Sequence, residues 1–217
     1  MNQIESIQGL VGELEYGIAQ VFPDFPDFSG MVVDDFVAGG TITRVSAAFE
    51  LGNPSFFEHL PSRVNGWRVS VFASVSQAEQ SGNEFMANVL GTQVVTDVTY
   101  ADLGEVNGVR AFTVDMPYLS IEAGAGAMWL GVSAVMPLTG NDQVFLLGNA
   151  TPTSRGGGGV QDAVFVNPGQ VFGSWRSHPL NIDAAYRVES VPEPTILLAI
   201  VIGLASFRIR KTGREIR

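Results

Sequence analysis

Trp67–Ser76 reads WRVSVFASVS, and its period decides the fold class. In an extended chain, Trp67, Val69, Val71 and Ala73 point one way while Arg68, Ser70, Phe72 and Ser74 point the other. Outward from this stretch, Thr41–Leu51 gives a second clear strand signal. Shorter β-prone stretches follow at Gln93–Tyr100, Val109–Asp115, Ala127–Val135, Gln143–Leu147, Asp162–Val166 and Ala184–Glu189, separated by Gly, Asn, Asp and Pro. With no helical crossover expected after residue 30, the pattern predicts a mainly β chain, an antiparallel β-sandwich of jelly-roll-like type over residues 31–190. The 25 glycines suit its turns. The GGGG at 156–159 reads as a surface loop, because no Lys-Ser/Thr follows it as a phosphate-binding loop requires.

Upstream, the period changes. Ile4, Ile7, Val11, Leu14 and Ile18 recur at steps of three and four, so residues 3–21 are expected to form an amphipathic helix packed on the domain. The turn-rich FPDFPDFSG ends it, and residues 1–30 form a helix plus a Pro/Asp-rich connector. No Lys or Arg occurs in residues 1–30, and Glu5, Glu13 and Glu15 interrupt the apolar positions, so no export leader is legible there. The expectation is that the true start lies upstream of the stated one.

Composition narrows the functional classes. The first 190 residues hold seven arginines, no lysine and 20 of the 22 acids, a net charge of −13. Nucleic-acid binding needs clustered cations, so an acidic body argues against it. With no cysteine in the chain, thiol catalysis, thiolate zinc sites and disulfides are excluded.

The C-terminal residues 191–217 have a different character. Pro192, Glu193 and Pro194 lead into an apolar run of Ile196, Leu197, Leu198, Ala199, Ile200, Val201, Ile202, Gly203, Leu204, Ala205, Ser206 and Phe207. A basic cluster begins with Arg208, Arg210 and Lys211 and continues to Arg214 and Arg217. The prolines end any preceding helix and leave an extended recognition element. The apolar run favours hydrocarbon, and the cations hold the cytoplasmic side. As a helix, the 12 residues from Ile196 to Phe207 would span about 18 Å, short of the roughly 30 Å hydrocarbon core. Snorkelling by the flanking basic side chains recovers several ångströms, which suits a segment held briefly and then cut.

This three-part tail resembles the PEP-CTERM sorting signal of exported bacterial proteins, which implies an exosortase-type processing enzyme as partner. The body resembles the extracellular β-sandwich domains of PEP-CTERM and other choice-of-anchor surface proteins at three places. Val33-Asp34-Asp35-Phe36 with Gly39-Gly40-Thr41-Ile42-Thr43 is similar to their opening strand and turn. Ile121–Val132 (IEAGAGAMWLGV) is similar to their L-x-x-G-x-Y-W-L strand, with Met128 where an aromatic is usual, and Asp183–Val188 is similar to their closing strand. The resemblance implies a sandwich scaffold and an exported life: anchored in the inner membrane through the C-terminus, then at the cell surface or extracellular after processing. It implies no reaction.

Little else carries chemistry. His59 and His178 are the only histidines, and no G-x-S-x-G elbow surrounds a serine, so no enzyme is expected. Asp34 and Asp35 could ligate Ca²⁺, with Asp24 and Asp27 nearby in sequence, but no D-x-D-x-D-G loop appears. On a strand the two would face opposite sides, so a structural role is favoured and no cofactor is assigned. Trp67 and Trp129 have the phase of core residues, and Trp175 is the better candidate for an exposed sugar contact. Asn149-Ala150-Thr151 matches a short glycosylation pattern. The leading expectation is therefore a non-catalytic exported surface or matrix protein. The alternative is a carbohydrate- or calcium-binding module of the exopolysaccharide layer.

Overall fold

The computed structural model describes residues 10–11, 19–106, 109–138, 143–149, 163–169, 177–179 and 183–191. In chain order the strands are β1 (Leu10–Val11), β2 (Gln20–Val21), β3 (Met31–Leu51), β4 (Gly66–Phe72), β5 (Gly91–Val95), β6 (Thr99–Val106) and β7 (Val109–Met116). They continue with β8 (Ile121–Val135), β9 (Val144–Leu146), β10 (Gly148–Asn149), β11 (Val164–Val166), β12 (Ser177–Pro179), β13 (Asp183–Ala184) and β14 (Tyr186–Val191). The chain is mainly β, in one large sheet and a small three-stranded one of order β1-β10-β13. Pairing is antiparallel, except that β2 runs parallel to β8.

The 21-residue β3 organises the large sheet. Along one edge it pairs first with β8, through Val33–Ile42, and then with β7, through Val45–Leu51. Along the other edge it meets β11, then β14, then β9. Its first half thus belongs with β8, β4 and β5, and its second half with β7 and β6.

Two bulges let these long strands bend while keeping their apolar residues inward. In β8, Gly126 pairs with Ala38 and Ala123 with Gly40, so two residues of β8 oppose one of β3. The inward set of β8 moves from Ile121 and Ala123 to Met128, Leu130, Val132 and Ala134. Gly126 takes φ 117°, a left-handed backbone that a side chain would strain. In β3, Ile42 pairs with Ser190 and Arg44 with Glu189, leaving Thr43 as the extra residue. The inward set of β3 shifts there from Val32, Phe36 and Ile42 to Val45, Ala47, Phe49 and Leu51.

The main core lies between the two halves. Trp67 on β4 is fully buried, 4.6 Å from the Phe49 ring and 6.3 Å from the rings of Phe112 on β7 and Tyr100 on β6. Its indole Nε1 donates to the Tyr100 hydroxyl at 2.9 Å. Each fully buried large apolar side chain here contributes roughly 1.5–3 kcal/mol of hydrophobic stabilisation. A second core lies on the opposite face, where Met31, Val33, Phe72, Trp129 and Phe85 pack together. β4 is consequently buried on both faces. Its polar residues on the second face bond to the loop above: Arg68 Nη1 donates to the Glu84 carbonyl, and the Ser70 hydroxyl donates to the Phe85 carbonyl at 3.2 Å.

Several expectations are corrected. The strand expected over Trp67–Ser76 stops at Phe72, because Ser74 and Gln77 form a reciprocal cap. The Ser74 hydroxyl accepts the Gln77 N–H at 3.2 Å, and the Gln77 Oε1 accepts the Ala73 N–H at 2.8 Å. The short helix Val75–Glu79 follows, and a 3₁₀ turn (Pro54–His59) with one helical turn (Leu60–Arg63) links β3 to β4. Short helical segments therefore occur in the connections after residue 30. The stretch Gln93–Tyr100 divides into β5 and β6, and β8 begins at Ile121 rather than Ala127.

The helix expected over residues 3–21 lies mostly outside the described residues. Within it, Leu10–Val11 and Gln20–Val21 are strands, because backbone pairing with β10 and β8 overrides the apolar period there. The expected C-terminal helix also lies outside. Among the described residues, no helix is long and apolar enough to cross a membrane.

Candidate functional site

Asp34 and Asp35 do face opposite sides of β3. Asp34 is buried, its Oδ1 accepting the Asp35 N–H and its Oδ2 the Ala184 N–H, both at 2.8 Å. Beside it the buried Tyr186 hydroxyl donates to the Val32 carbonyl at 3.0 Å, and burial, reinforced by the Asp34 charge, pushes the Tyr186 phenol well above its ordinary range. The carboxylate fastens the start of the closing segment to the opening strand. Asp35 is half-buried on the other side, and Asp24 and Asp27 lie exposed in the connector, where Asp27 accepts from the Asn83 amide. Among the described residues, no group of three or more His, Asp or Glu side chains is placed to hold a metal ion.

Of the remaining sequence candidates, Trp67 and Trp129 are buried as expected, on opposite faces of the sheet. His59 is exposed at the end of a 3₁₀ turn, and His178 lies in β12. Trp175 lies outside the described residues. So do Pro192, Glu193, Pro194, the run from Ile196 to Phe207, and Arg208, Arg210 and Lys211.

The structure brings together a set that the sequence did not single out. On the outer face of β6, β7, β3 and β14, a shallow depression of about 420 Å³ is lined by Thr99, Ala101, Thr113, Asp115, Arg44, Ser46 and Arg187. Register explains the grouping: Arg187 pairs with Ser46, Ser46 with Asp115, and Asp115 with Thr99, making one row across four strands. Arg44 grips Asp115 with two parallel bonds, Nε to Oδ1 at 2.8 Å and Nη2 to Oδ2 at 2.7 Å. The Ser46 hydroxyl adds a third at 2.8 Å. The Arg44 and Ser46 hydrogen bonds hold the Asp115 carboxyl below the usual carboxylate range, and Asp115 raises Arg44 in turn. Arg187 pairs with Glu189 at 2.9 Å along β14.

Tyr118 lies in the loop after β7, which is held against β3 one residue from Arg44 by the Leu119 N–H bond to the Thr43 carbonyl. It is 81 % exposed and has φ 61°. Three hydrogen bonds pin its loop: Leu119 N–H to the Thr43 carbonyl at 3.0 Å, Ser120 N–H to Gln93 Oε1 at 3.0 Å, and Gln93 Nε2 to the Tyr118 carbonyl at 3.2 Å. Chemically, this face offers hydroxyls, planar charged groups and one aromatic ring, which suit hydrogen bonding and stacking.

A separate polar anomaly is Glu50 on β3. It is fully buried, and neither carboxyl oxygen has a hydrogen-bond partner among the described residues. Its register neighbours are Ala111 and Phe145. Burial pushes its carboxyl up to about 7.

Neither Tyr118 nor the Arg44–Asp115 pair could be found without strand register, since 71 residues separate the ion pair. The only local signal was Pro117, which marks the end of β7. Comparison of the chain with protein-family models, curated proteins and solved structures found no match in any of the three.

Proposed function

We propose that this chain is an exported bacterial cell-surface or extracellular-matrix protein, a non-catalytic β-sandwich of jelly-roll-like type sorted by its PEP-CTERM-like tail. The observation that carries the reading is the junction at residue 191. The last strand, β14, closes onto β3 and ends at Val191, which is half exposed. Pro192, Glu193 and Pro194 follow at once, then the apolar run and the basic cluster. A recognition element in that position begins in sequence directly after the last residue of the sheet. The contacts of Trp67 with Phe49, Tyr100 and Phe112, across the two halves of the large sheet, support the sandwich.

The partners under this reading are an exosortase-type enzyme and the membrane. Deleting Pro192–Pro194 tests it in a host that carries such an enzyme. The expected result is an unprocessed chain retained in the membrane fraction. Unchanged mass and unchanged fractionation would overturn the assignment.

A further inference from the structure

We infer that the outer face of β6, β7, β3 and β14, with the adjoining Tyr118 loop, binds a polysaccharide chain. The starting point is an energetic oddity. A non-glycine residue in the left-handed region is strained, and Tyr118 occupies it at φ 61°. Two other non-glycine residues among those described share positive φ, but Phe85 is buried in the second core and Asn88 is of a type that tolerates the conformation. Tyr118 alone uses it to hold a large ring out in water. The loop is over-determined in that state: Leu119 is buried, and Gln93 grips the backbone on either side of it through one side-chain amide.

Through the Leu119–Thr43 bond the loop adjoins a surface of matching chemistry. Arg44 and Asp115 lock each other into fixed planes, and both remain partly exposed. The Arg44 N–H groups not spent on Asp115 are thereby held in fixed directions and can meet sugar hydroxyls at little entropic cost, while the face of a tyrosine packs against the C–H face of a pyranose. Ser46, Thr99 and Thr113 add hydroxyl partners along the same floor. The charges nearby balance, with Arg44 and Arg187 against Asp115 and Glu189, so the face does not select for a strongly anionic ligand. No large apolar side chain lines the depression, which leaves a protein partner without a central anchor. The shallow, solvent-open form suits a chain lying across the strands better than an enclosed small molecule.

This site does not depend on the tail, so its test separates from the sorting experiment. The full chain is run in native gels cast with hydroxyethylcellulose, xylan, galactomannan, dextran or alginate. At least one neutral polysaccharide is expected to retard the protein. Tyr118→Gly, which removes the ring and relieves the backbone, should weaken that binding by roughly tenfold or more, with the melting temperature unchanged or raised. Asp115→Asn, a surface change, should weaken it as well. The inference is overturned if no polysaccharide retards the chain, or if retardation survives Tyr118→Gly. It is equally overturned if alginate alone retards the chain and salt abolishes the effect.

Discussion

Asp34 and Ala184 lie 150 positions apart, yet the Asp34 Oδ2 accepts the Ala184 N–H at 2.8 Å. This bond joins the opening strand β3 to the end of β13. Asp34→Ala would strand the Ala184 N–H in a buried setting, at a cost of about 1–3 kcal/mol. The expected outcome is a lower denaturation midpoint with an unchanged slope in urea. An unchanged midpoint would show that the clamp contributes nothing.

Glu50 gives a pH dependence with a definite sign. Its folded carboxyl titrates near 7, against an ordinary value of 4.5, so the folded state binds the proton more tightly. Stability from this group is therefore full below pH 4.5, falls as pH rises toward 7, and is flat above it, by about 3 kcal/mol in all. Glu50→Gln should melt higher than wild type at pH 8 and match it near pH 4. Taking the difference between the two proteins isolates Glu50 from Asp102 and Asp115, whose lowered values act at more acidic pH. A constant difference across the range would refute the assignment.

Tyr100 matters through its hydroxyl. Tyr100→Phe keeps the ring beside Trp67 and Phe112 but leaves the buried indole N–H unpaired. A loss of about 1–2 kcal/mol is expected in chemical denaturation. Near-UV circular dichroism should keep its tryptophan bands, since the packing survives.

Gly131 is a packing position. It pairs with Val33 on β3 and Ser70 on β4, and a Cβ there would overlap the Met31 side chain and press on Val33. Met31 is itself fully buried in the second core, so it has little room to move. Gly131→Ala is expected to destabilise by roughly 1–3 kcal/mol, measured as a fall in melting temperature.

The residues that could be read in advance share a property: their neighbours along the chain reveal them. The alternation of Trp67, Val69 and Val71 marked β4, and the adjacency of Asp34 and Asp35 required them to face opposite sides. The Ser74–Gln77 cap was equally local, yet the alternating run WRVSVFASVS masked it. What stayed hidden depends on pairing between distant segments. The second core could not be foreseen because Arg68 and Ser70 break the apolar pattern of a face that the 80s loop covers. At Leu10–Val11 and Gln20–Val21 the helical spacing misled for a similar reason, as the partners β10 and β8 lie more than 100 residues away. The Arg44–Asp115–Tyr118 face arises from register and two bulges, and no short window of sequence contains it.

The length of β3 has a kinetic consequence. Five strands dock on it, and β14, which takes up the edge at Thr41–Ala47, emerges from the ribosome some 140 residues later. Until then that edge offers unpaired amides to any passing strand, and assembly through such distant pairings is intrinsically slow. A chain cut short before Tyr186 would keep that edge open permanently. Truncated products of this protein should therefore be recovered as aggregates, even though most of their apolar residues are the same.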